Sequence, residues 1–307
     1  MITYIIRRIL ISIPVLWGVV TMTFFGFKLL VPGDPVDIML FGRGTAADRI
    51  RLRDELGLNH PVIVQYWDFL KGAVHLDFGN SIFYHDSVFS EIWSRLPNTL
   101  ELAVTALIIG TTLSLIFGVL SAVHNRTWAG TGITAAAVAG ISVPEFWLGT
   151  VLALIFGLDL GWFPVAGIGD WHYLVLPAVT LALPLASGQT RLIRSVMVQT
   201  MDMEYVRTAR AKGVRSTVIL YKHVLRNALI PLVTIFGLTV AGLLGGALII
   251  ENVFSRPGLG TLVVQAAGNH DYPVIEGTTF FFAIILILAN LLVDITYAIV
   301  DPRITFS

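Results

Sequence analysis

Six stretches of this chain are long and apolar enough to cross a lipid bilayer as helices, and this feature limits the fold more than any other. A transmembrane helix needs about 20 predominantly apolar residues, and backbone exposed to lipid must satisfy its own hydrogen bonds. The stretches are roughly 9–31, 98–123, 133–157, 173–195, 228–250 and 277–300. We therefore predict an all-α polytopic membrane protein with six transmembrane helices.

The composition supports a membrane protein. Only 13% of the 307 residues are charged and the mean hydropathy is +0.80, whereas a soluble domain carries about a quarter charged residues. The net charge of zero implies no general attraction to nucleic acid. The absence of Cys excludes disulfides and thiolate metal sites. The N-terminus, MITYIIRRIL, leads into an apolar run too long for a cleaved signal, which predicts a retained first span.

The orientation follows from the cations in the short loops, because cytoplasmic loops carry an excess of Lys and Arg. The two short loops of one side, near 158–172 and 251–276, contain only Arg256. The termini and loops of the other side contain Arg7, Arg8, Arg126, Arg191, Arg194, Arg207, Arg210, Lys212, Arg215, Lys222, Arg226 and Arg303. We predict that both termini are cytoplasmic and that the protein is a multi-pass component of the plasma or inner membrane.

The chain divides into four segments on this reading. Residues 1–31 form the cytoplasmic N-terminus and first span, and residues 32–96 form a small extracytoplasmic helical domain, since apolar residues recur there at helical spacing. Residues 97–300 form a five-helix transmembrane domain with a cytoplasmic loop at about 196–227. Residues 301–307 form the cytoplasmic C-terminus.

The sequence contains no signature of catalysis. There is no G-x-x-x-x-G-K-[ST] phosphate loop and no H-E-x-x-H pair. The seven His residues are scattered, and no nucleophile has an evident base and orienting acid. We predict that this chain is not an enzyme and has no catalytic, cofactor-binding or metal-binding residues of its own.

Ionisable residues within the spans are few. Such residues are costly in a membrane and usually functional, but only Glu145 and Asp294 lie well inside the predicted spans, with Lys28 near an end of the first. Glu145 could be structural, line a gate or contact substrate, while Asp294 lies four residues after Asn290 on one helix face and is suited to helix–helix hydrogen bonding or to a role in a pathway. An ion-coupled secondary transporter that works without an ATPase is therefore the alternative reading.

A basic stretch, YVRTARAKGV, lies between two of the apolar segments. Residues 202–213 have the end signals of a short helix, with acidic residues in the first turn, Lys212 in the last, and Gly213 as a left-handed stop. Val206 and Ala209 give it a small apolar patch. A helix this short is marginal alone in water, so we expect it to pack on its own membrane domain or on a partner. Contact with anionic lipid is the simpler explanation of its charge.

Several motifs resemble those of one family in the same order along nearly the whole chain. EYVRTARAKGV and KHVLRNALIPL are similar to the cytoplasmic coupling loop of permease subunits of binding-protein-dependent ABC importers, specifically the dipeptide, oligopeptide and nickel permeases. The supporting motifs are RRILISIPVLWGVVTMTFF, VPGDP, LDFGNSI, LPNTLELA, SVPEFWLG, IIENVFSRPGLG, HDYPVIEG and NLLVDITYAIVDPRI. The resemblance implies a type I ABC importer transmembrane fold.

In this family the loop helix docks into a groove on a cytoplasmic ATPase, which binds the ATP and Mg that the permease lacks. Carried to this sequence, the docking positions are Glu204, Tyr205, Arg207, Ala209, Arg210, Lys212 and Gly213. Arg207, Thr208 and Ala209 stand where the wider importer motif has Glu-Ala-Ala, and Arg226 stands where it has proline. Both departures are typical of the peptide branch.

The resemblance also implies partners and a pathway. We expect a heterodimer with a companion permease of the same fold, two cytoplasmic ABC ATPase subunits and an extracytoplasmic substrate-binding protein. Spans two to five would line the pathway, with Ser142, Glu145, Gln189 and Glu251 as candidate lining or gate residues. Peptides are the expected cargo, and the sequence leaves dipeptide, oligopeptide, glutathione and nickel chelate open.

Overall fold

A computed structural model describes residues 2–30, 36, 40, 45–55 and 57–300, with the side chains of 2–5, 29–30, 55, 229–238, 241, 293–294 and 296–300 left undescribed. Apart from an isolated bridge between Asn80 and Ser87, every regular element in these ranges is helical. The α-helices are α1 (Ile2–Leu30), α2 (Ala46–Glu55), α3 (Val62–Val74), α4 (Val88–Val123), α5 (Trp128–Ser142), α6 (Glu145–Leu152), α7 (His172–Met201), α8 (Glu204–Ala211), α9 (Ser216–Val218), α10 (Arg226–Val253), α11 (Leu259–Gly268) and α12 (Tyr272–Val300). Two π-helical stretches, Ala153–Asp159 and Ile219–Leu225, follow α6 and α9.

Four described helical stretches are long and apolar enough to span a membrane, namely Ile6–Lys28, Val88–Val123, His172–Met201 and Tyr272–Leu292. They contain or overlap the predicted first, second, fourth and sixth spans. The fourth continues as one helix through Pro177 and Pro184. The predicted span at 228–250 falls within α10, much of which has undescribed side chains, so the count of six remains a prediction.

The predicted third span, 133–157, is not a single straight helix. It consists of α5 and the stretch Glu145–Asp159, which meet at a bend of 100°. The cause is local, because Pro144 disfavours the helical conformation of the residue before it. Val143 is extended (φ −88°, ψ 123°), as is Pro144 itself (φ −61°, ψ 135°). The pair is therefore a broken span or a re-entrant loop.

The described chain forms two compact units. One contains the described residues of 1–5, 100–256 and 288–307, and the other contains the described residues of 6–99 and 257–287. These units are defined by contacts between residues, whereas the predicted segments 1–31, 32–96, 97–300 and 301–307 are defined by their side of the membrane. The boundaries of the predicted segments therefore remain predictions. The last of them lies outside the described residues, as do Arg303 and the side chain of Asp294.

The unit that contains residues 100–256 has two apolar clusters. One joins α4, α7 and α10 around Leu102, Leu181 and Ile250, each at most 2% exposed. The helices approach closely where α4 carries glycine, since a Cβ atom at Gly118 would lie 2.6 Å from Cγ2 of Ile193. Small residues at helix contacts are the usual means of packing in membranes.

The unit that contains residues 6–99 and 257–287 is built around α4, α11 and α12, with Val88, Leu259 and Val274 fully buried. The segment 81–83 is held there by Asp271, just before α12. This carboxylate, 1% exposed, accepts hydrogen bonds from Ser81 Oγ at 2.5 Å and from the amides of Ile82 and Phe83, each at 3.1 Å. Asp271 therefore anchors the segment in front of α4.

Candidate functional site

The predicted loop helix is present as α8, and its two sides are different. Val206 is fully buried and Ala209 is 9% exposed. Both belong to an apolar cluster whose other buried members are Ala122, Ile193, Met197, Ile219, Val224 and Ala228. The apolar patch read from the sequence thus packs on the same chain, which satisfies the expectation that so short a helix needs a support.

The end of α8 is fixed by a left-handed residue. Gly213 has φ +73°, the amide of Gly213 donates to the carbonyl of Arg210 at 3.0 Å, and the amide of Val214 donates to the carbonyl of Ala209 at 3.2 Å. These two bonds form a Schellman motif, which closes a helix and favours glycine at this position. The predicted stop at Gly213 is present.

The start of α8 is tied to the chain that follows it. The hydroxyl of Tyr205 donates to the carbonyl of His223 at 3.4 Å and accepts from Nδ2 of Asn227 at 3.2 Å. Asn227 also donates to the carbonyl of His223 at 2.7 Å. Asn227 was not predicted as a site residue, although it lies within the motif KHVLRNALIPL. The two hydrogen bonds of Tyr205 join α8 to the chain around His223 and Asn227.

The outward side of α8 is cationic. Arg207, Arg210 and Lys212 are exposed, as is Glu204 at the first turn. Within the part of the chain that the structure describes, none of the three cations forms an ion pair. The helix therefore presents a positive surface, which suits an acidic or carbonyl-rich groove of another protein. Ala209 does not belong to this surface, because it faces inward.

The predicted pathway residues are not brought together into one site. Gln189 is 3% exposed, accepts from Ser114 Oγ at 2.9 Å and donates to Thr239 Oγ1 at 3.2 Å, so it bridges α4, α7 and α10. Glu251 is fully buried at the end of α10. Ser142 is exposed at the break between α5 and α6.

Glu145 is half-buried at the first turn of α6, and its carboxylate faces the backbone of α10. A Cβ atom added at Gly246 would lie 2.8 Å from Oε2 of Glu145. Glycine leaves room there for the carboxylate. No group of three or more His, Asp or Glu residues within the described ranges could hold a metal ion.

Two protein families match the chain. Residues 114–306 match the family described as the binding-protein-dependent transport system inner membrane component, and residues 1–103 match the family described as its N-terminal part. This chain belongs to that family. The resemblance seen in the motifs is confirmed, and the chain is a permease subunit of an ABC importer, a transport component of the membrane and not an enzyme.

Relatives of this permease match along its whole length. It is 42% identical to the oligopeptide transport system permease protein AppB of Bacillus subtilis, with 100% of both chains covered. It is 40% identical to the glutathione transport system permease protein GsiC of Salmonella choleraesuis, again with 100% of both covered. A putative peptide transport system permease protein of Brucella abortus is 40% identical, over 99% of both chains.

Solved structures support the permease fold. One from the inward-facing MetNI methionine ABC transporter superposes with a TM-score of 0.61 at 19% identity, over 69% of this chain and 96% of that one. An amino acid ABC transporter solved with histidines superposes with a TM-score of 0.53 at 16% identity, over 70% of this chain and 94% of that one. The predicted fold class is confirmed. The family result also favours the permease over the alternative of a carrier without an ATPase.

Proposed function

We propose that this permease forms half of a translocation pathway for peptides, and that α8 is the helix through which cytoplasmic ATPase subunits drive it. The observation that carries the proposal is the two-sided burial of α8. Val206 and Ala209 attach the helix to its own membrane domain, while Arg207, Arg210 and Lys212 remain exposed. A force applied to the exposed side of α8 would be transmitted to the membrane domain through its buried side.

We assign different roles to the residues of the coupling loop. Glu204, Arg207, Arg210 and Lys212 would contact the ATPase, because they are exposed and charged. Tyr205, Ala209 and Gly213 would position the helix through the contacts described above. ATP and Mg would be bound by the ATPase subunits, since no phosphate loop exists in this sequence. Switching between inward-open and outward-open states would then be a rigid-body change between two packings.

The remaining partners follow from the family. A companion permease of the same fold would complete the pathway as a heterodimer, and a substrate-binding protein would deliver cargo to the extracytoplasmic side. The excess of cations in one set of loops supports cytoplasmic termini. Ser142 and Glu145, at the bend between α5 and α6, would be nearest the pathway, whereas the burial of Gln189 and Glu251 favours roles in packing or gating.

The proposed cargo is a peptide. Relatives about 40% identical over the full length are named for oligopeptides, for glutathione, which is itself a tripeptide, and for peptides in general. The binding protein selects among individual peptides in such a system.

A charge reversal tests the docking of α8. In membranes that contain the whole importer, Arg210→Glu should reduce co-purification of the ATPase and peptide-stimulated ATP hydrolysis, because it places like charge against an acidic groove. Arg126→Glu is the matched control, since Arg126 is exposed in the turn between α4 and α5. If both variants lost ATPase binding and hydrolysis equally, or neither lost them, α8 would not be the site of ATPase contact. Competition between labelled dipeptide and glutathione during uptake tests the cargo separately.

A further inference from the structure

A cavity of about 390 Å³ lies at the end of α7 nearest α8, beside the turn that joins α4 to α5. The α7 residues that line it are spaced so that they fall on one face of the helix. The opposite face carries Ile193 and Met197 into the apolar cluster that holds α8. The residues that give the cavity its chemistry are Asn125, Thr134, Arg191, Arg194, Ser195 and Gln199.

The cavity is positively charged and rich in hydrogen-bond donors. Arg191 and Arg194 both line it, and no Asp or Glu is among the described residues that do so. Nη2 of Arg194 donates to Oδ1 of Asn125 at 2.7 Å, which fixes the guanidinium in place. Its Nε is buried and has no hydrogen-bond partner among the described residues. The two guanidinium groups thus bring positive charge to the cavity with no carboxylate among its described lining residues to balance it.

The geometry suits a phosphate group. Guanidinium groups bind phosphate oxygens through several N–H donors at once, and the hydroxyls of Thr134 and Ser195 and the amide of Gln199 can supply more bonds to the remaining oxygens. Basic pockets between transmembrane helices on the cytoplasmic side are known to hold lipid head groups. By the distribution of cations, this end of α7 is the cytoplasmic one.

We propose that this cavity binds a phosphate-bearing anion at the cytoplasmic surface of the membrane. The anion is either the head group of an anionic phospholipid or free phosphate from the cytoplasm, since both present the same oxygens. The site is separate from the cationic side of α8 and does not depend on which cargo is carried. It would stabilise the end of α7 on which α8 rests.

Two binding measurements on the purified whole importer test the proposal. Native mass spectrometry after delipidation counts retained phosphatidylglycerol, and equilibrium dialysis of the lipid-depleted complex measures binding of inorganic phosphate. The test variant is Arg191→Gln with Arg194→Gln. The matched control is Lys222→Gln with Arg226→Gln, which removes the same charge from exposed positions of the predicted cytoplasmic side.

We expect the test variant to bind the anion about tenfold or more weakly than the wild type, and the control to match the wild type. Retention of phosphatidylglycerol without phosphate binding identifies the lipid head group, and phosphate binding without lipid retention identifies the soluble anion. Binding of neither by the wild type overturns the proposal, whether or not the variants assemble. Equal loss of anion binding in the control variant also overturns it. Cross-linking that places Arg194 against a carboxylate of another subunit would overturn it as well.

Discussion

The amide of Val214 donates to the carbonyl of Ala209 across the left-handed turn at Gly213. This bond closes α8 and turns the chain toward α9. It also brings Val214 against the apolar cluster that holds Val206 and Ala209. The end of the helix and its attachment to the membrane domain are therefore one structural feature.

The first prediction concerns Gly213. Gly213→Ala should destabilise the closing turn by about 1 kcal/mol, because an L side chain is unfavourable at φ +73°. A steric clash is not the cause, since no described atom lies within 4 Å of the position that a Cβ atom would take. Gly213→Asn should cost less, because Asn tolerates this conformation. Thermal unfolding of the solubilised importer measures both, and an equal loss in the two variants would contradict the prediction.

The second prediction separates attachment from docking. Val206→Ala should lower the free energy of unfolding by about 2 kcal/mol through lost burial and a residual cavity, and should loosen α8. Arg207→Ala, one residue on and exposed, should leave stability unchanged and weaken only ATPase binding. Thermal unfolding and co-purification of the ATPase distinguish the two effects. The prediction is refuted if Arg207→Ala destabilises the permease as much as Val206→Ala does.

The third prediction concerns the contact between α4 and α7. Gly118→Ala should destabilise the permease by about 1–3 kcal/mol through overpacking, because the new Cβ would meet both Cγ2 and Cβ of Ile193, the latter at 2.7 Å. Gly132→Ala in α5 is the control, since none of the described residues comes within 4 Å of a Cβ atom at that position. Similar unfolding temperatures for the two variants would show that α4 and α7 are not closely packed.

The fourth prediction is the anchoring role of Asp271. Both carboxylate oxygens of Asp271 accept hydrogen bonds from backbone amides. Asp271→Asn should not preserve these bonds, because the side-chain amide nitrogen of Asn would face an N–H donor in either orientation. Each buried donor left without a partner costs about 1–3 kcal/mol. Limited proteolysis of the segment before α4 should become faster. Asp68→Ala, at an exposed position, should not change the rate of proteolysis. If Asp271→Asn were as resistant to the protease as the wild type, Asp271 would not anchor this segment.

The fifth prediction is a local pH dependence in the loop before α7. The hydrogen bond from His172 to the carboxylate holds the pKa of Asp170 below its ordinary value of 3.8. A lowered pKa in the folded state gives stabilisation that is present above the ordinary pKa and lost as the pH falls through the folded value. His172→Gln should therefore raise the pKa of Asp170, as followed by carbon NMR of labelled aspartate, while His124→Gln should not. Uptake at pH 7 should be unchanged by either.

The sequence predicted what depends on local signals. Gly213, the acidic first turn and the pair Val206 and Ala209 were enough to define α8 and its buried side, because helix ends and amphipathicity are encoded within a few residues. The break before Glu145 had a local signal too, in the dipeptide Val143-Pro144, but apolarity alone made the two helices look continuous.

Contacts between distant residues could not be read from the sequence. Gln189 is buried because it bonds to Ser114 and Thr239, which are 75 and 50 positions away. Asp271 accepts a hydrogen bond from Ser81, which lies 190 positions earlier in the chain. Which face of an apolar helix meets a neighbour depends on the packing of the whole bundle, and a mostly apolar helix carries little pattern that indicates this face.

The bond between Ser81 and Asp271 has a consequence for biosynthesis. A ribosome adding about 5–20 residues per second needs roughly 10–40 s to synthesise the chain that separates the two residues. During that interval the amides of Ile82 and Phe83 have no Asp271 to accept their hydrogen bonds. The segment before α4 can become ordered as described only after nearly all of the membrane domain has been made.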